Sequence, residues 1–252
     1  MEYRIDFRVP PVKNQIVMPD PVVDSDVEDA FYRKKMFLSM LIPGIFVILM
    51  WLVKITEVLL NIDLSDFGIY PLTVKGLQGI IFSPFIHADF NHLFNNSLPL
   101  FFLATALFYF YSEVAVKVFV WTYFLTGLLV WFAGREAWHI GASGVVYGLA
   151  SFLFFSGIIR RHLRLIALSL LIVFLYGSMV WGIFPDIYKN VSWESHMLGF
   201  FSGVMLSLWY RKEGPQRPEY EWLNEDDDED GSQGPVEEDE DRSEKNNSFS
   251  KH

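Results

Sequence analysis

Residues 141–161 read GASGVVYGLASFLFFSGIIRR, an apolar segment that opens on small polar residues and ends on two arginines. Residues 142–159 carry no charge, and a run of about 18 residues lies at the short end of the length that a helix needs to cross a bilayer. A backbone in lipid must satisfy its own hydrogen bonds, so the segment is predicted to be a transmembrane helix. Gly144 and Gly148 are spaced so that a second helix can approach closely.

Five further apolar runs flank this segment. They cover residues 37–53, 93–112, 118–134, 165–184 and 195–210. All six runs lie within residues 36–210, which hold only 16 of the 50 charged residues of the chain. A soluble domain with so few charges would have to expose mostly Leu and Phe, which argues against a soluble protein with a large core. The predicted fold is an all-α, polytopic membrane bundle of six transmembrane helices, with the long loop 54–91 between the first two.

Lys and Arg are unevenly distributed over the two ends of these helices. Nine of them lie on the side that carries both chain termini, and four lie on the opposite side. The positive-inside rule therefore predicts cytoplasmic termini and an external loop 54–91 in a multi-pass membrane protein. The predicted domains are an irregular N-terminal segment (1–35), the membrane domain (36–210) and an acidic tail (211–252).

The net charge of −10 belongs to the tail. Residues 213–252 contain 15 acidic and 4 basic residues, so the rest of the chain carries a charge of +1. Such a segment buries too little apolar surface to fold alone, which favours a disordered tail over a specific docking element. A net acidic chain also argues against nucleic acid as a partner. The lack of cysteine excludes disulfides, thiolate metal sites and a Cys nucleophile.

Polar residues and glycines open the second, fourth and sixth runs. They are His87, His92 and Asn96 in the second; Gly141, Ser143, Gly144 and Tyr147 in the fourth; and His196, Gly199 and Gly203 in the sixth. All three runs travel inward under the predicted orientation, so these residues lie at one depth near the external surface. Polar groups within a membrane are costly and mark candidate functional sites.

Helical spacing brings these residues onto shared faces. His92 and Asn96 lie four residues apart, as do Ser143 and Tyr147. The glycine pairs predict close packing of the fourth and sixth helices, which brings Ser143 to His196. A serine needs a base within about 2.6–3.2 Å to lose its proton, so this pair is a candidate catalytic dyad. Each motif alone is more typical of packing or of an interhelical hydrogen-bond network, whereas their combination favours catalysis.

With these motifs the chain resembles the rhomboid family of intramembrane serine proteases. The resemblance covers residues 36–210 and rests on His87-x4-His92-x3-Asn96, Gly141-x-Ser143-Gly144 with Tyr147, and His196-x2-Gly199-x3-Gly203. It implies Ser143 as nucleophile and His196 as general base, without a required Asp, a metal or a cofactor. It also implies that His92 and Asn96 bind the oxyanion and that Tyr147 packs on His196. His87 and the glycines at 141, 144, 199 and 203 would support the site.

The resemblance further implies single-span transmembrane proteins as substrates, cleaved near the external end of a locally unwound helix in a bacterial inner membrane. The fifth run, with Pro185 and Asp186 after it, would form a lateral gate. The loop 54–91 departs from the family pattern because it lacks the Trp-Arg pair of many bacterial relatives, which leaves its anchoring open. Glu194 is expected to be an exposed loop acid.

Two other functions are compatible with parts of the pattern. A catalytically inactive rhomboid-like protein would bind membrane clients without cutting them, but the presence of both Ser143 and His196 favours an enzyme. A transporter could use His87, His92, His139 and His196 to bind a metal. No ladder of acidic residues continues across the predicted bilayer, which argues against transport.

Overall fold

The chain folds into long apolar helices joined by short turns and one structured loop. The computed structural model describes residues 25–185 and 192–216. Its α-helices are α1 (Ser25–Leu60), α2 (Val74–Leu77), α3 (Gly79–Phe82), α4 (Phe90–Phe110), α5 (Ala115–Ala133), α6 (Ser143–Arg160), α7 (Leu163–Tyr176) and α8 (Trp193–Trp209). Single 3₁₀ segments cover Ser65–Phe67, Ser83–Phe85 and Gly177–Ile183. The prediction of an all-α protein is confirmed.

Within residues 25–185 and 192–216, four helices, α1, α4, α5 and α6, are long and apolar enough to cross a membrane. Their outward faces carry large apolar side chains such as Leu52, Phe102 and Phe132, each more than half exposed. A surface of this kind suits lipid and not water. The prediction of an integral membrane protein is therefore confirmed. α7 and α8 have 14 and 17 residues and are shorter.

The described structure extends beyond both ends of the predicted membrane domain, 36–210. α1 begins at Ser25, so residues 25–35 of the segment expected to be irregular are helical. Hydropathy did not reveal this extension because it is rich in charge, with Asp26 and Glu28 in the first turn, where acids favour a helix start. At the other end the compact unit extends to Gln216 instead of residue 210. The first 24 residues and most of the acidic tail, 217–252, lie outside the described residues.

The fifth apolar run is not one continuous helix. α7 ends at Tyr176, and the 3₁₀ segment Gly177–Ile183 follows at once. This segment turns back into the protein, where the carbonyl of Gly182 meets His196. The prediction of a single helix over 165–184 is therefore corrected, because a contact with a distant helix sets the path of the chain after Tyr176.

α6 lies at the centre of the bundle and packs against α4, α5, α7 and α8. Its contact with α8 is made backbone to backbone. A Cβ on Gly199 would overlap the carbonyl of Gly144, and a Cβ on Gly203 would overlap the carbonyl of Gly148. The predicted close approach of these two helices is thus present, and it needs glycine on α8 because the obstruction is main chain.

The loop between α1 and α4, residues 61–89, is fastened to the segment that precedes α6. Ile69 and His139 exchange two main-chain hydrogen bonds of 2.9 and 2.8 Å, and the Gly141 N–H donates to the Ser83 carbonyl at 2.8 Å. Further bonds join Leu72 N–H to Trp131 O, Trp131 Nε1 to Thr73 O, and the Tyr123 hydroxyl to Ile81 O. The loop is therefore anchored without a Trp-Arg pair, and one anchor lies two residues before Ser143.

Arg160 is the last residue of α6 and joins this end of the helix to the end of α8. Its buried guanidinium donates to the Tyr210 carbonyl at 2.7 Å, the Glu213 carbonyl at 2.6 Å and Ser156 Oγ at 2.8 Å. It also lies 5.4 Å from the centre of the Tyr111 ring. These bonds satisfy carbonyls beyond the end of α8, which have no partner within the helix.

Replacing Arg160 with leucine is expected to destabilise the protein by about 2–4 kcal/mol, because the Tyr210 and Glu213 carbonyls and Ser156 Oγ lose the same charged donor at once. Thermal unfolding in detergent should show a clear drop in Tm. Arg164→Leu, which removes an exposed arginine at the start of α7, is the matched control and should leave Tm nearly unchanged. Equal Tm values for the two variants would contradict this role of Arg160.

Candidate active site

One cavity gathers five of the ten predicted site residues. It has a volume of about 510 Å³. Its walls include His92 and Asn96 of α4, Ser143 and Tyr147 of α6, His196 of α8, and Tyr176, Ser178 and Gly182 at and after the end of α7. The first turns of α4, α6 and α8 thus lie at the same end of the bundle.

Ser143 is the first residue of α6. The first N–H groups of a helix have no partner within it, and the helix dipole favours negative charge at this end. Gly141 precedes it with a φ of +102°, a conformation that favours glycine. A Cβ at residue 141 would lie 2.8 Å from His92 Cε1, so the missing side chain is what lets the His92 ring approach the Ser143 turn.

His196 is held on two sides. Its ring stacks on Tyr147 with 4.2 Å between centroids and 12° between planes. Its Nδ1 lies 2.9 Å from the carbonyl oxygen of Gly182. A carbonyl oxygen only accepts, so Nδ1 carries the proton and Nε2 of the neutral ring has a free lone pair. His196 is 7% exposed.

The side-chain amide of Asn96 is a hydrogen-bond donor within the cavity. Asn96 is 5% exposed, and its Nδ2 has no hydrogen-bond partner among the described residues. It lines the same cavity as Ser143. A buried amide without a partner is rare in a folded protein and calls for an explanation. A group that becomes negatively charged in the cavity would supply the missing acceptor.

Comparison with known proteins assigns the chain to a family. The model of the rhomboid domain matches residues 75–213. The chain is a member of the rhomboid family. Its relatives include the uncharacterized protein Rv1337 of Mycobacterium tuberculosis, 33% identical over 184 residues, or 68% of this chain and 74% of the relative. The uncharacterized protein ML1171 of Mycobacterium leprae is 30% identical over 188 residues, covering 68% of this chain and 70% of that protein.

A buried ion pair in α1 holds the chain just before α4. Lys54 Nζ lies 2.9 Å from Glu57 Oε2 and donates to the carbonyls of His87 and Ala88, each at 2.9 Å. Asp89 then caps α4 by accepting the His92 N–H at 2.7 Å. Lys54 and Glu57 were not among the predicted site residues. Two opposite charges three residues apart at the end of an apolar run were the available signal.

Glu194 is buried, and the expectation of an exposed loop acid is wrong. Its side chain is 5% exposed and lies 3.4 Å from Arg135 Nε, an ion pair without hydrogen-bond geometry. The loop between α5 and α6 folds over the start of α8 and covers it. His139 of this loop lies 2.6 Å from Ser192 Oγ and binds the Arg135 carbonyl, so it is engaged outside the cavity.

His87 packs against His92 and does not line the cavity. Its ring centroid is 5.1 Å from that of His92, its Nδ1 contacts the Phe85 carbonyl at 3.3 Å, and it is 1% exposed. Burial, and secondarily the neighbouring His92, lowers the pKa of His87 from 6.5 to about 3. His87 is therefore a neutral ring beside His92 at neutral pH.

Acidification is expected to destabilise the protein through His87. The unfolded chain takes up a proton near pH 6.5 and the folded chain does not, so stability is complete above pH 6.5 and falls as the pH drops towards 3. The slope for this single group is at most about 1.4 kcal/mol per pH unit. Unfolding temperatures of wild type and His87→Asn, measured from pH 7.5 to pH 4.5, should diverge in slope. Parallel curves would contradict this role of His87.

Proposed function

We propose that this rhomboid is an intramembrane serine endopeptidase that hydrolyses a peptide bond near the external end of a substrate transmembrane helix. The observation that carries the proposal is the shared cavity of Ser143 and His196, with Nδ1 of the histidine occupied and Nε2 available. No hydrogen bond joins Ser143 to His196 among the described residues. Such bonds are often long without substrate and shorten in the complex.

In the proposed reaction Ser143 Oγ attacks the peptide carbonyl while His196 Nε2 takes its proton. The negative charge that develops on the carbonyl oxygen is stabilised by Asn96 Nδ2, His92 and the first N–H groups of α6. His196 then gives the proton to the leaving amine, and water hydrolyses the acyl-enzyme by the same steps. Tyr147 keeps the imidazole plane fixed.

The proposed topology has six spans, α1 and α4 to α8, with cytoplasmic termini and the loop 61–89 outside. The shorter α7 and α8 are matched to the bilayer by local thinning and by the segments that flank them. The positive-inside rule supports this orientation. The mycobacterial relatives support a bacterial plasma membrane as the location.

Single-span membrane proteins are the proposed substrates. An intact helix hides its carbonyls in i→i−4 bonds, so the substrate must unwind at the cleaved bond. α7 is the proposed lateral gate, because only Leu165, Ser169 and Ile172 of this helix are buried. Pro185 is exposed, and Asp186 lies outside the described residues.

An inactive rhomboid-like protein that binds membrane clients is the other candidate. Such a protein would use the cavity for binding. It would need neither the free lone pair on His196 Nε2 nor the unpartnered side-chain amide of Asn96. Both features are present and favour the enzyme.

The test is cleavage of a panel of single-span substrates by the purified protein in liposomes. Wild type should cut at least one substrate near its external end, and Ser143→Ala should not. Ser207→Ala is the matched control, since Ser207 lies in α8 away from the cavity and its Oγ donates to the Val204 carbonyl. Equal cleavage by wild type and Ser143→Ala would refute the proposal.

A further inference from the structure

The 3₁₀ segment after α7 reaches the centre of the site. Gly182, near its end, is buried between two residues of the cavity. A Cβ at this position would overlap the Tyr147 hydroxyl and would lie 3.0 Å from His196 Nδ1. Only a glycine lets the main chain approach both rings at once. Hydropathy and helical spacing gave no sign of this contact, because Gly182 lies 14 residues before His196 in an apolar run.

The contact decides which nitrogen of His196 carries the proton. A free neutral imidazole exchanges its proton between Nδ1 and Nε2, and only the form with the proton on Nδ1 leaves Nε2 able to accept the serine proton. In Ser-His-Asp hydrolases a buried carboxylate selects this form and stabilises the imidazolium that follows. Among the described residues no carboxylate lines the cavity, and the nearest acid in sequence, Glu194, lies against Arg135.

We propose that the main-chain carbonyl of Gly182 is the third member of this site, a positioning group that fixes the tautomer and orientation of His196. The proposal rests on the proposed function, since it assigns the group that makes His196 a base. The Ser143 proton moves to Nε2, the resulting imidazolium keeps its Nδ1–H on the Gly182 oxygen, and the proton on Nε2 then passes to the leaving amine. No other donor or acceptor is needed for this proton balance.

A backbone carbonyl is a neutral acceptor, so it stabilises the imidazolium less than a carboxylate does. Because it belongs to the main chain, it cannot be lost by side-chain rotation. The segment Gly177–Ile183 must therefore stay in place during the reaction. Opening for substrate then has to take place on the lipid-facing side of α7 and not at residue 182.

The first test is spectroscopic and needs no activity. Protein labelled with ¹⁵N in its histidine rings, measured in detergent at neutral pH, gives distinct shifts for protonated and unprotonated ring nitrogens. The His196 signals are assigned by their loss in His196→Gln. Wild type should show a protonated Nδ1 and an unprotonated Nε2. Gly182→Ala should show a mixture of the two tautomers, and Gly177→Ala should match wild type, because a Cβ there meets only Val173 Cγ1 at 3.7 Å.

The second test is kinetic. Gly182→Ala should lower kcat for a cleaved single-span substrate by about 10²–10³-fold with little change in KM, because His196 then loses its orientation towards Ser143 as well as its single tautomer. Gly177→Ala should stay within twofold of wild type. Tyr147→Phe removes the hydroxyl that the new Cβ would overlap. Gly182→Ala in the Tyr147→Phe background should therefore cost at least tenfold less than it does in wild type.

The results of these tests distinguish the positioning role of Gly182 from the proposed protease activity. A protonated Nε2 in wild type overturns the positioning role even if the added methyl group prevents folding of the Gly182 variant. An unchanged tautomer in a folded Gly182→Ala variant also overturns it. Wild-type protein that cuts no substrate, yet shows the Nδ1–H form and loses it in Gly182→Ala, supports the positioning role and counts against the protease instead.

Discussion

His196→Ala is expected to lower kcat for substrate cleavage by about 10⁴-fold or more, since removing the base of a serine hydrolase costs almost as much as removing the whole catalytic group. Among the residues that the structure describes, His196 alone of the cavity histidines has its Nδ1 hydrogen-bonded to a main-chain carbonyl. Its ring is also stacked on Tyr147. His92 shares the cavity but is proposed as a donor to the oxyanion.

The measurement is the initial rate of cleavage in liposomes under saturating substrate. His162→Ala is the matched control, because it removes a histidine from the turn between α6 and α7 at the opposite end of α6. That variant should keep wild-type kcat within about threefold. Comparable rates for His196→Ala and wild type would show that another group acts as the base.

Gly199→Ala is expected to destabilise the protein by more than about 3 kcal/mol and to abolish cleavage. The added Cβ would overlap the carbonyl of Gly144, which belongs to the main chain of α6 and cannot rotate away. The two helices must separate, and overpacking of this kind is costly even where flexible side chains can yield. Separation would also move His196 away from Ser143, because each lies within one turn of this contact.

Gly44→Ala is the control for this prediction. Gly44 lies in the middle of α1, and a Cβ there would be 3.9 Å from Phe101 Cε2, an ordinary contact. The same substitution should leave stability unchanged or raise it by about 0.5–1 kcal/mol, the usual gain of alanine over glycine in a helix. Thermal unfolding in detergent compares the two variants directly. A Gly199→Ala protein with wild-type Tm would mean that the helices can yield without cost.

Much of the helical bundle could be predicted from the sequence because charge marks the helix ends. The runs 93–112, 118–134 and 142–159 correspond to α4, α5 and α6 within about three residues at each end. The start of α1 and the end of α7 were not predictable in this way. The first extends into a charged stretch, and the second is set by the contact of Gly182 with His196.

The residues of the candidate site also divide into those that the sequence pattern predicts and those that it does not. Residues placed by helical spacing, such as His92, Asn96, Ser143 and Tyr147, could be assigned to one cavity from the sequence because their helices share a direction. Groups that act through main-chain atoms could not be assigned to the site from the sequence. The carbonyls of Gly182 and His87 and the burial of Glu194 depend on loops folding over distant helices, which leaves no periodic pattern in the sequence.

The most direct test of the account is labelling of the purified wild-type protein with a serine-directed fluorophosphonate, with the adduct located by mass spectrometry. The account predicts a single phosphonylated residue, Ser143, and loss of the label in His196→Ala, because an unactivated serine does not react at a comparable rate. Labelling of another serine, or undiminished labelling in Ser143→Ala, would contradict the assignment of Ser143 and His196 as the catalytic dyad.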